Sequence, residues 1–212
     1  MPPEPGAASR FSLPGLADVV MDGLEAAARA LDDEQAAHGV DSFAELDVHP
    51  LLRGALLDAG YGVFPEERYP HARARARRSS GRRCDLVLTR DAAPLEDVEE
   101  ALFLEVKIAA EHVHLGRSAR YGRVLGRDAL EDVVKLCSDG GIHHAALLLV
   151  LFTGDAATAT RDVTRASGLF LDEGLPVGVP YLRSRPLRDR AGNGAATCAL
   201  FPVGTLRRGL FP

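Results

Sequence analysis

The chain has 212 residues, 46% of them hydrophobic, which is enough for one sizeable domain with a packed core. Its formal net charge of -5 excludes a uniformly basic nucleic-acid-binding protein, so any contact with phosphate must come from a local patch. The three cysteines, Cys84, Cys137 and Cys198, fit neither a disulfide framework nor a paired-cysteine zinc site, and they favour a reducing cytoplasm.

The ends of the chain and its apolar runs bear on location. The N-terminal Met-Pro-Pro-Glu-Pro lacks a basic region followed by an apolar core, so we expect no signal peptide. The longest apolar run, residues 145–152, is too short to cross a bilayer. We therefore expect a soluble, cytoplasmic protein that does not contact membranes, with a disordered segment at residues 1–12 and a single domain over residues 13–212.

The first part of the chain predicts helices. Residues 15–38 carry apolar side chains at helical spacing, and Gly39 ends this segment. Ser42 and Glu45 have the spacing of a capping box, which indicates the start of a second helix. Pro50 is expected in the first turn of a further helix over residues 51–59.

Residues 61–69 predict a strand that forms a hairpin with the strand beginning near Arg82. The segment that joins them is rich in arginine, with Arg73, Arg75, Arg77, Arg78, Arg82 and Arg83. In an acidic protein, this concentration of positive charge is the clearest local signal for phosphate contact. The alternative is a plain solvated hairpin, because arginine alternating with alanine needs no partner.

The next two strands carry charged residues on apolar segments. At the two-residue period of a strand, Glu105 and Lys107 share one face of the run 101–107. If this run pairs with the strand that holds Asp85, about 5 Å away, the three side chains converge. Charged groups on core strands are unfavourable unless compensated. A hard divalent cation, bound by Asp85, Glu105 and a backbone carbonyl, is the compensation that we favour.

The residues after Lys107 add histidines and arginines. His112 and His114 are two residues apart, but no third nitrogen or sulfur ligand is close in sequence, so surface or DNA-facing histidines are favoured over a transition-metal site. Residues 116–126, with Arg117 and Arg120, predict a flexible basic loop beside the site that acts as a substrate flap.

The second half of the chain predicts a helix and a buried strand. The helix begins near residue 127, with Leu130, Val133, Val134 and Cys137 on its apolar face, and Asp132 and Lys135 are expected on the helix surface or at a sheet edge. The apolar run 145–152 predicts a central strand covered on both faces. A helix over residues 156–173, strands at 176–181 and 195–203, and an arginine-bearing loop at 183–193 complete the chain.

Asp85 and the triplet Glu105-Val106-Lys107 resemble the motif of the PD-(D/E)xK superfamily of restriction-endonuclease-like nucleases. Asp85 matches the first acidic position and the triplet matches ExK. Cys84 stands where the motif has proline, a residue that is not a ligand. The resemblance covers residues 42–152. It implies an α/β fold of the restriction-endonuclease-like type, with a mixed central β-sheet of four or five strands flanked by helices.

The resemblance also implies an activity, the metal-dependent hydrolysis of phosphodiester bonds in DNA by an endonuclease. Asp85 and Glu105 would bind Mg²⁺, for which Mn²⁺ would substitute, and Lys107 would assist the attacking water. Glu45 would be a third metal-binding carboxylate, although a helix-capping role is an equal alternative. Glu66 and Glu67 compete with it for the same metal role.

DNA is the partner implied, and the arginines named above would contact its backbone. A homodimer is compatible with cutting both strands, although no segment indicates an interface. No motif for a nucleotide cofactor is present. Two alternatives stay open: a catalytically inactive nuclease-fold subunit that binds DNA or serves in assembly, and an unrelated α/β protein in which Glu105 and Lys107 form a cross-strand ion pair.

Overall fold

The computed structural model describes residues 11–43, 45–70, 82–96, 98–113, 116–188 and 191–205. Within these residues the chain forms an α/β fold with a mixed sheet flanked by helices, as the sequence predicts. None of the helices in the described ranges combines the length and the apolar character that a membrane crossing requires.

The strands are numbered in chain order: β1 Gly62–Arg68, β2 Arg83–Thr89, β3 Leu102–Ala110, β4 His112–Val113, β5 Gly116–Arg117, β6 His144–Thr153, β7 Tyr181–Pro186 and β8 Ala195–Val203. The main sheet has the order β1-β2-β3-β6-β8-β7, six strands where four or five were expected, and β4 and β5 form a separate ribbon. In the main sheet β3 and β6 are parallel, and the other neighbouring pairs are antiparallel. The long apolar run of β6 lies at the centre, as predicted.

The helices are α1 Leu13–Asp33, α2 Glu45–Asp58, α3 Tyr121–Arg123, α4 Ala129–Ser138 and α5 Ala156–Asp172, with a 3-10 turn at Val40–Ser42 and a π-helical turn at Val124–Asp128. One core lies between the sheet and α1 and α2, and contains Leu86, Leu104 and Leu148. The other lies between the sheet and α4 and α5, and contains Val87 and Phe103. Odd-numbered residues of β3 therefore face α4, as strand alternation requires.

Phe11 and Ser12, the last residues of the segment predicted to be disordered, make specific contacts with the folded domain. Phe11 is 4% exposed and its ring stacks on Tyr61. The Ser12 side chain caps α1 by accepting a hydrogen bond from the Gly15 N–H. An apolar ring in the core and a helix cap fix this segment; residues 1–10 lie outside the described ranges.

The region before β1 forms one helix rather than two. α2 begins at Glu45 and continues through Pro50, so the predicted break at Pro50 is wrong. The predicted capping box is also wrong, because Ser42 lies in the 3-10 turn and its hydroxyl donates to the Gly39 carbonyl. A proline in the second turn removes one intrahelical hydrogen bond, and the packing of Val48, Leu52 and Leu56 in the core outweighs that loss.

The segment before α4 is helical where a flexible loop was predicted. Residues 121–128 form α3 and the π-helical turn, and Val124 and Leu125 are buried against the second core. The phase of α4 also differs from the prediction. Val134 is 40% exposed, whereas Asp132 is buried beside Val133.

The edge strand β7 lies in a segment that was predicted to be a loop, while residues 176–180 form a single bridge rather than the predicted strand. Arg183 and Arg185 project from β7 to acidic residues of α1, and Arg185 Nε lies 3.1 Å from Glu25 Oε2. These contacts join residues far apart in sequence, so local patterns do not reveal them.

Candidate active site

The candidate site lies where β2 and β3 separate. Their antiparallel pairing runs from Leu88↔Leu102 to Leu86↔Leu104, and one further step of the same register places Asp85 opposite Glu105. There the ladder stops, and Asp85 Oδ2 accepts a hydrogen bond from the Val106 N–H at 2.8 Å. A side chain thus replaces the next rung of the sheet, and the predicted approach of Asp85 to Glu105 is confirmed.

Glu66, the residue of β1 that lies opposite Asp85, has an unusual backbone conformation. The register of β1 with β2 sets Glu66 opposite Asp85, between the pairs Pro65↔Leu86 and Glu67↔Cys84. Glu66 has a φ of 56°, in the left-handed region that a side chain disfavours by roughly 1–2 kcal/mol. Backbone strain of this kind is concentrated at sites where geometry is specified by function.

Glu105 is enclosed on the α4 side of the sheet. Its side chain is 1% exposed and accepts a hydrogen bond from the Tyr69 hydroxyl. Burial raises the pKa of Glu105 to about 9, and the charges of Asp85 and Asp132 and a hydrogen bond with Asp85 add to the effect, against the lowering influence of Tyr69. The Glu105 carboxyl is therefore protonated at neutral pH in this arrangement.

The ammonium of Lys107 lies among three oxygen atoms. Lys107 Nζ is 2.7 Å from Asp132 Oδ2, 3.0 Å from the Val106 carbonyl oxygen and 3.8 Å from Asp85 Oδ2. The Lys107 side chain is 15% exposed, so solvent screens these interactions only in part. Lys107 therefore points to Asp85, as strand alternation predicts, but its nearest partner is on α4.

Asp132 was predicted on the helix surface or at a sheet edge, whereas it is buried between α4 and the inner strand β3. Its side chain is 2% exposed, and its Oδ1 accepts a hydrogen bond from Lys135 Nζ. Asp132 Oδ2 has no hydrogen bond of standard geometry, although Lys107 Nζ is 2.7 Å away, so the contact with Lys107 is best described as an ion pair. Asp132, Lys135 and Tyr69 are thus members of the site that sequence reasoning missed.

A signal for Asp132 was present in the sequence. Ala129, Asp132, Val133, Leu136 and Cys137 are the buried residues of α4, and they fall at helical spacing. Setting the helix phase on Ala129, Val133 and Leu136 instead of Leu130 and Val134 places Asp132 inward. Tyr69 gave no comparable local signal, since it follows β1 and meets Glu105 only in the folded sheet.

The donor set fits a hard divalent cation. Asp85, Glu105 and the Val106 carbonyl offer the oxygen ligands that Mg²⁺ and Mn²⁺ prefer. Three acidic side chains (Asp85, Glu105, Asp132) meet two lysines (Lys107, Lys135), an excess of one negative charge if all are ionised. Across the described ranges, however, no group of three or more His, Cys, Asp or Glu side chains has the geometry of a complete metal site.

The predicted third carboxylate is not settled. Glu45 is the first residue of α2, and its side chain lies outside what the structure describes. Glu66 is exposed and Glu67 is half-buried, both on β1. The metal role of each stays a prediction.

The predicted DNA-binding arginines divide into two groups. Arg73, Arg75, Arg77 and Arg78, like His114, lie outside the described residues. Arg82, Arg83 and Arg120 are exposed, and Arg83 Nη1 donates to the Glu66 carbonyl oxygen at 2.6 Å. Arg117 is paired with Glu111 at 2.5 Å, and Glu111 Oε2 lies 3.7 Å from His112 Nε2. Arg117 and His112 are thus both engaged by one carboxylate.

Comparison with protein-family models, with curated proteins and with solved structures finds no match for this chain. The chemistry of Asp85, Glu105, Lys107 and Asp132 is therefore the basis on which a function can be argued.

Proposed function

We propose that this protein is a magnesium-dependent endonuclease that hydrolyses phosphodiester bonds in DNA, built on a restriction-endonuclease-like core. The observation that carries the proposal is the convergence of Asp85, Glu105 and Lys107 at the point where β2 separates from β3. The antiparallel β2–β3 pair, the following α4 and the parallel β6 agree with the fold that the sequence motif implies.

Asp85 and Glu105, with the Val106 carbonyl, would hold the metal ion. When bound, Mg²⁺ neutralises charge on the scissile phosphate and lowers the pKa of a bound water. Asp85 is already oriented by the Val106 N–H, and its hydrogen bond with Glu105 would be exchanged for a bond to the metal. Glu105 must release its proton to act as a ligand, and Tyr69 favours the ionised form by donating a hydrogen bond.

Lys107 would orient the attacking water and stabilise the negative charge that develops on the phosphorus centre. For this role the ammonium has to be held in one place, and Asp132 and the Val106 carbonyl provide two fixed contacts. Lys135 binds the other oxygen of Asp132, Oδ1. The Asp132 carboxylate is thus neutralised further and keeps its contact with Lys107. Positioned charge of this kind contributes most where water is largely excluded.

A non-catalytic role is the second candidate, and one observation favours it. The short contact of Lys107 with Asp132 is a complete ion pair in its own right, as expected of a charged cluster that joins a helix to a sheet. The cross-strand pair of Glu105 and Lys107 that this alternative first suggested is replaced by a pair between β3 and α4. A purely structural cluster does not account for Glu105, because among the described residues this buried carboxyl group has no lysine of its own to neutralise it.

Cleavage of supercoiled plasmid and of single-stranded DNA, in Mg²⁺, Mn²⁺ and EDTA, tests the proposal. We expect nicking by the wild type that requires the metal, and its loss in Asp85→Asn and in Lys107→Met. Asp172→Asn, an exposed aspartate at the end of α5, is the matched control and should cleave like the wild type. Cleavage that survives both site variants would refute the proposal, as would a wild type that is inactive on both DNA forms.

A further inference from the structure

One edge of β3 is open beyond the candidate site. From Glu105 to Ala110, β3 pairs with β6, and among the described strands no other pairs with this stretch. The Val106 N–H points away from β6, to Asp85. Strand geometry directs the N–H and C=O groups of Ile108 and Ala110 to the same side. A short row of hydrogen-bond donors and acceptors therefore continues from the site.

A cavity of about 470 Å³ lies along this edge, within the ~300–1,000 Å³ that is typical of small-molecule sites. Residues 108–110 of β3 form one side of it. Phe43, just before α2, and Val124 contribute apolar walls, while Ser118 and Arg120 add polar groups. The cavity thus combines apolar walls with a hydrogen-bonding strand edge.

The walls of the cavity are held by buried hydrogen bonds. Asn193, 1% exposed, donates to Asp41 Oδ2 at 2.8 Å and to the His112 carbonyl at 2.9 Å, and it accepts from the His112 N–H at 3.0 Å. Tyr121 donates to Asp162 at 2.9 Å. Because Asp41, His112 and Tyr121 all line the cavity, its shape is largely formed before any ligand arrives.

We propose that this cavity binds one unstacked nucleobase of the DNA strand that is cut, next to the scissile phosphate; the inference rests on the proposed function. The apolar walls suit the faces of a flat ring, and the β3 edge presents donors and acceptors to the polar rim of a base. Arg120 is exposed beside it and can contact the adjoining phosphate. The cavity begins at Ile108, the residue after Lys107, and follows β3 to Ala110. A strand rises about 3.3 Å per residue, so the cavity extends roughly 10 Å from Lys107, the distance to a neighbouring nucleotide.

The same edge is too short to accept an added peptide strand. After Ala110 the β4–β5 ribbon folds back, and the Ser118 N–H donates to the Glu111 carbonyl at 2.8 Å. Beyond Val106, only Ile108 and Ala110 direct their N–H and C=O groups to the open side of β3. Adding a peptide strand requires a longer run of main-chain hydrogen bonds. The substrate class that follows is DNA that is single-stranded or easily unpaired.

The test uses oligonucleotides that carry the fluorescent base 2-aminopurine at successive positions, single-stranded and in a duplex, mixed with the full chain in EDTA. Unstacking raises the fluorescence of this base, so we expect an increase at one position. Ala191→Phe and Ser118→Phe fill the cavity from two walls. Each should abolish the increase and weaken single-strand binding about tenfold, the scale of one lost base-stacking contact. Ala157→Phe, at an exposed position of α5, should behave like the wild type.

The outcomes separate this inference from the proposed function. Metal-dependent cleavage by the wild type without any rise in fluorescence overturns the nucleobase site and leaves the nuclease proposal standing. A localised rise that both filling variants remove supports the site, even if Asp85→Asn shows that cleavage does not depend on the metal centre. A rise that persists in a filling variant with an unchanged melting temperature places the unstacked base elsewhere and overturns the inference.

Discussion

Lys107 of β3 and Asp132 of α4 form an ion pair, with Nζ and Oδ2 2.7 Å apart. Asp132 is nearly inaccessible to solvent, and it is shared by Lys107 and Lys135. Two cations therefore share one buried carboxylate, although Lys107 also lies 3.8 Å from Asp85. This asymmetry predicts that the acid matters more to stability than either base.

Asp132→Ala should lower the free energy of unfolding by about 3 kcal/mol, because it removes the nearest carboxylate of two partly buried ammonium groups. Lys135→Ala should lower it by about 1 kcal/mol, since Lys107 still neutralises Asp132 and the Lys135 side chain is 30% exposed. Urea unfolding at neutral pH measures both, with Asp128→Ala as an aspartate control outside the buried cluster. Equal effects of Asp132→Ala and Lys135→Ala would contradict the shared-anion arrangement.

The raised pKa of Glu105 makes stability depend on pH in a defined direction. The carboxyl has an ordinary pKa of 4.5 in the unfolded chain and about 9 in the folded chain, so between these values the folded state binds the extra proton. Stability from this group therefore falls as the pH rises from about 4.5 to about 9. In EDTA the melting temperature of the wild type should decrease from pH 6 to pH 9.

Glu105→Gln provides the control for that prediction. The amide keeps the size of the side chain but carries no titrating proton, so the decrease between pH 6 and pH 9 should become shallower than in the wild type. If the melting temperatures of the wild type and of Glu105→Gln fall equally between pH 6 and pH 9, another group produces the pH dependence.

Tyr69→Phe removes the hydroxyl that donates to Glu105. We expect a loss of about 1 kcal/mol, the typical net value of one hydrogen bond. Because the Tyr69 hydrogen bond lowers the pKa of Glu105, its removal should raise that pKa further and extend the pH-dependent decrease to higher pH. Melting curves across pH test this, and Tyr181→Phe, on the exposed edge strand β7, is the matched control.

Asn193→Ala should be among the more destabilising polar substitutions. It leaves the buried Asp41 carboxylate and the backbone of His112 without their partner, at roughly 1–3 kcal/mol for the groups left unsatisfied. Asn193→Asp should be at least as harmful, since it sets a second acid 2.8 Å from Asp41. Chemical denaturation measures the free energy of unfolding of both variants. A change below about 0.5 kcal/mol in either would contradict the structural role of the Asn193 hydrogen bonds.

Much of the sheet could be predicted because strand periodicity is local. Alternation along β2 and β3 sufficed to bring Asp85 to Glu105 and Lys107, and the apolar run of β6 sufficed to make it central. The register between β2 and β3 cannot be read from either strand alone. Placing the apolar residues Leu86 and Leu104 on the same face of the sheet leaves few registers. The convergence of the acidic pair was therefore predictable before any coordinates.

The remaining site residues depend on contacts between distant parts of the chain. Asp132 enters the site because α4 is rotated by about one residue from the phase that Leu130 and Val134 suggested, and that rotation is decided by packing against Phe103 and its neighbours. Pro50 was expected in the first turn of a separate helix, but it lies inside α2, because core packing overrides a local preference. Segments whose structure is decided by tertiary contacts give weak local patterns.

The contacts of Arg183 and Arg185 with α1 have a consequence for how the protein is made. Asp18 and Arg183 are 165 positions apart, and the Ala17 carbonyl also meets Cys198 from β8. The packing of α1 on the sheet is therefore completed only when the distant strands β7 and β8 are in place. Long-range closure of this kind slows folding, so we expect this domain to fold more slowly than a helical protein of the same length, in which most contacts are local.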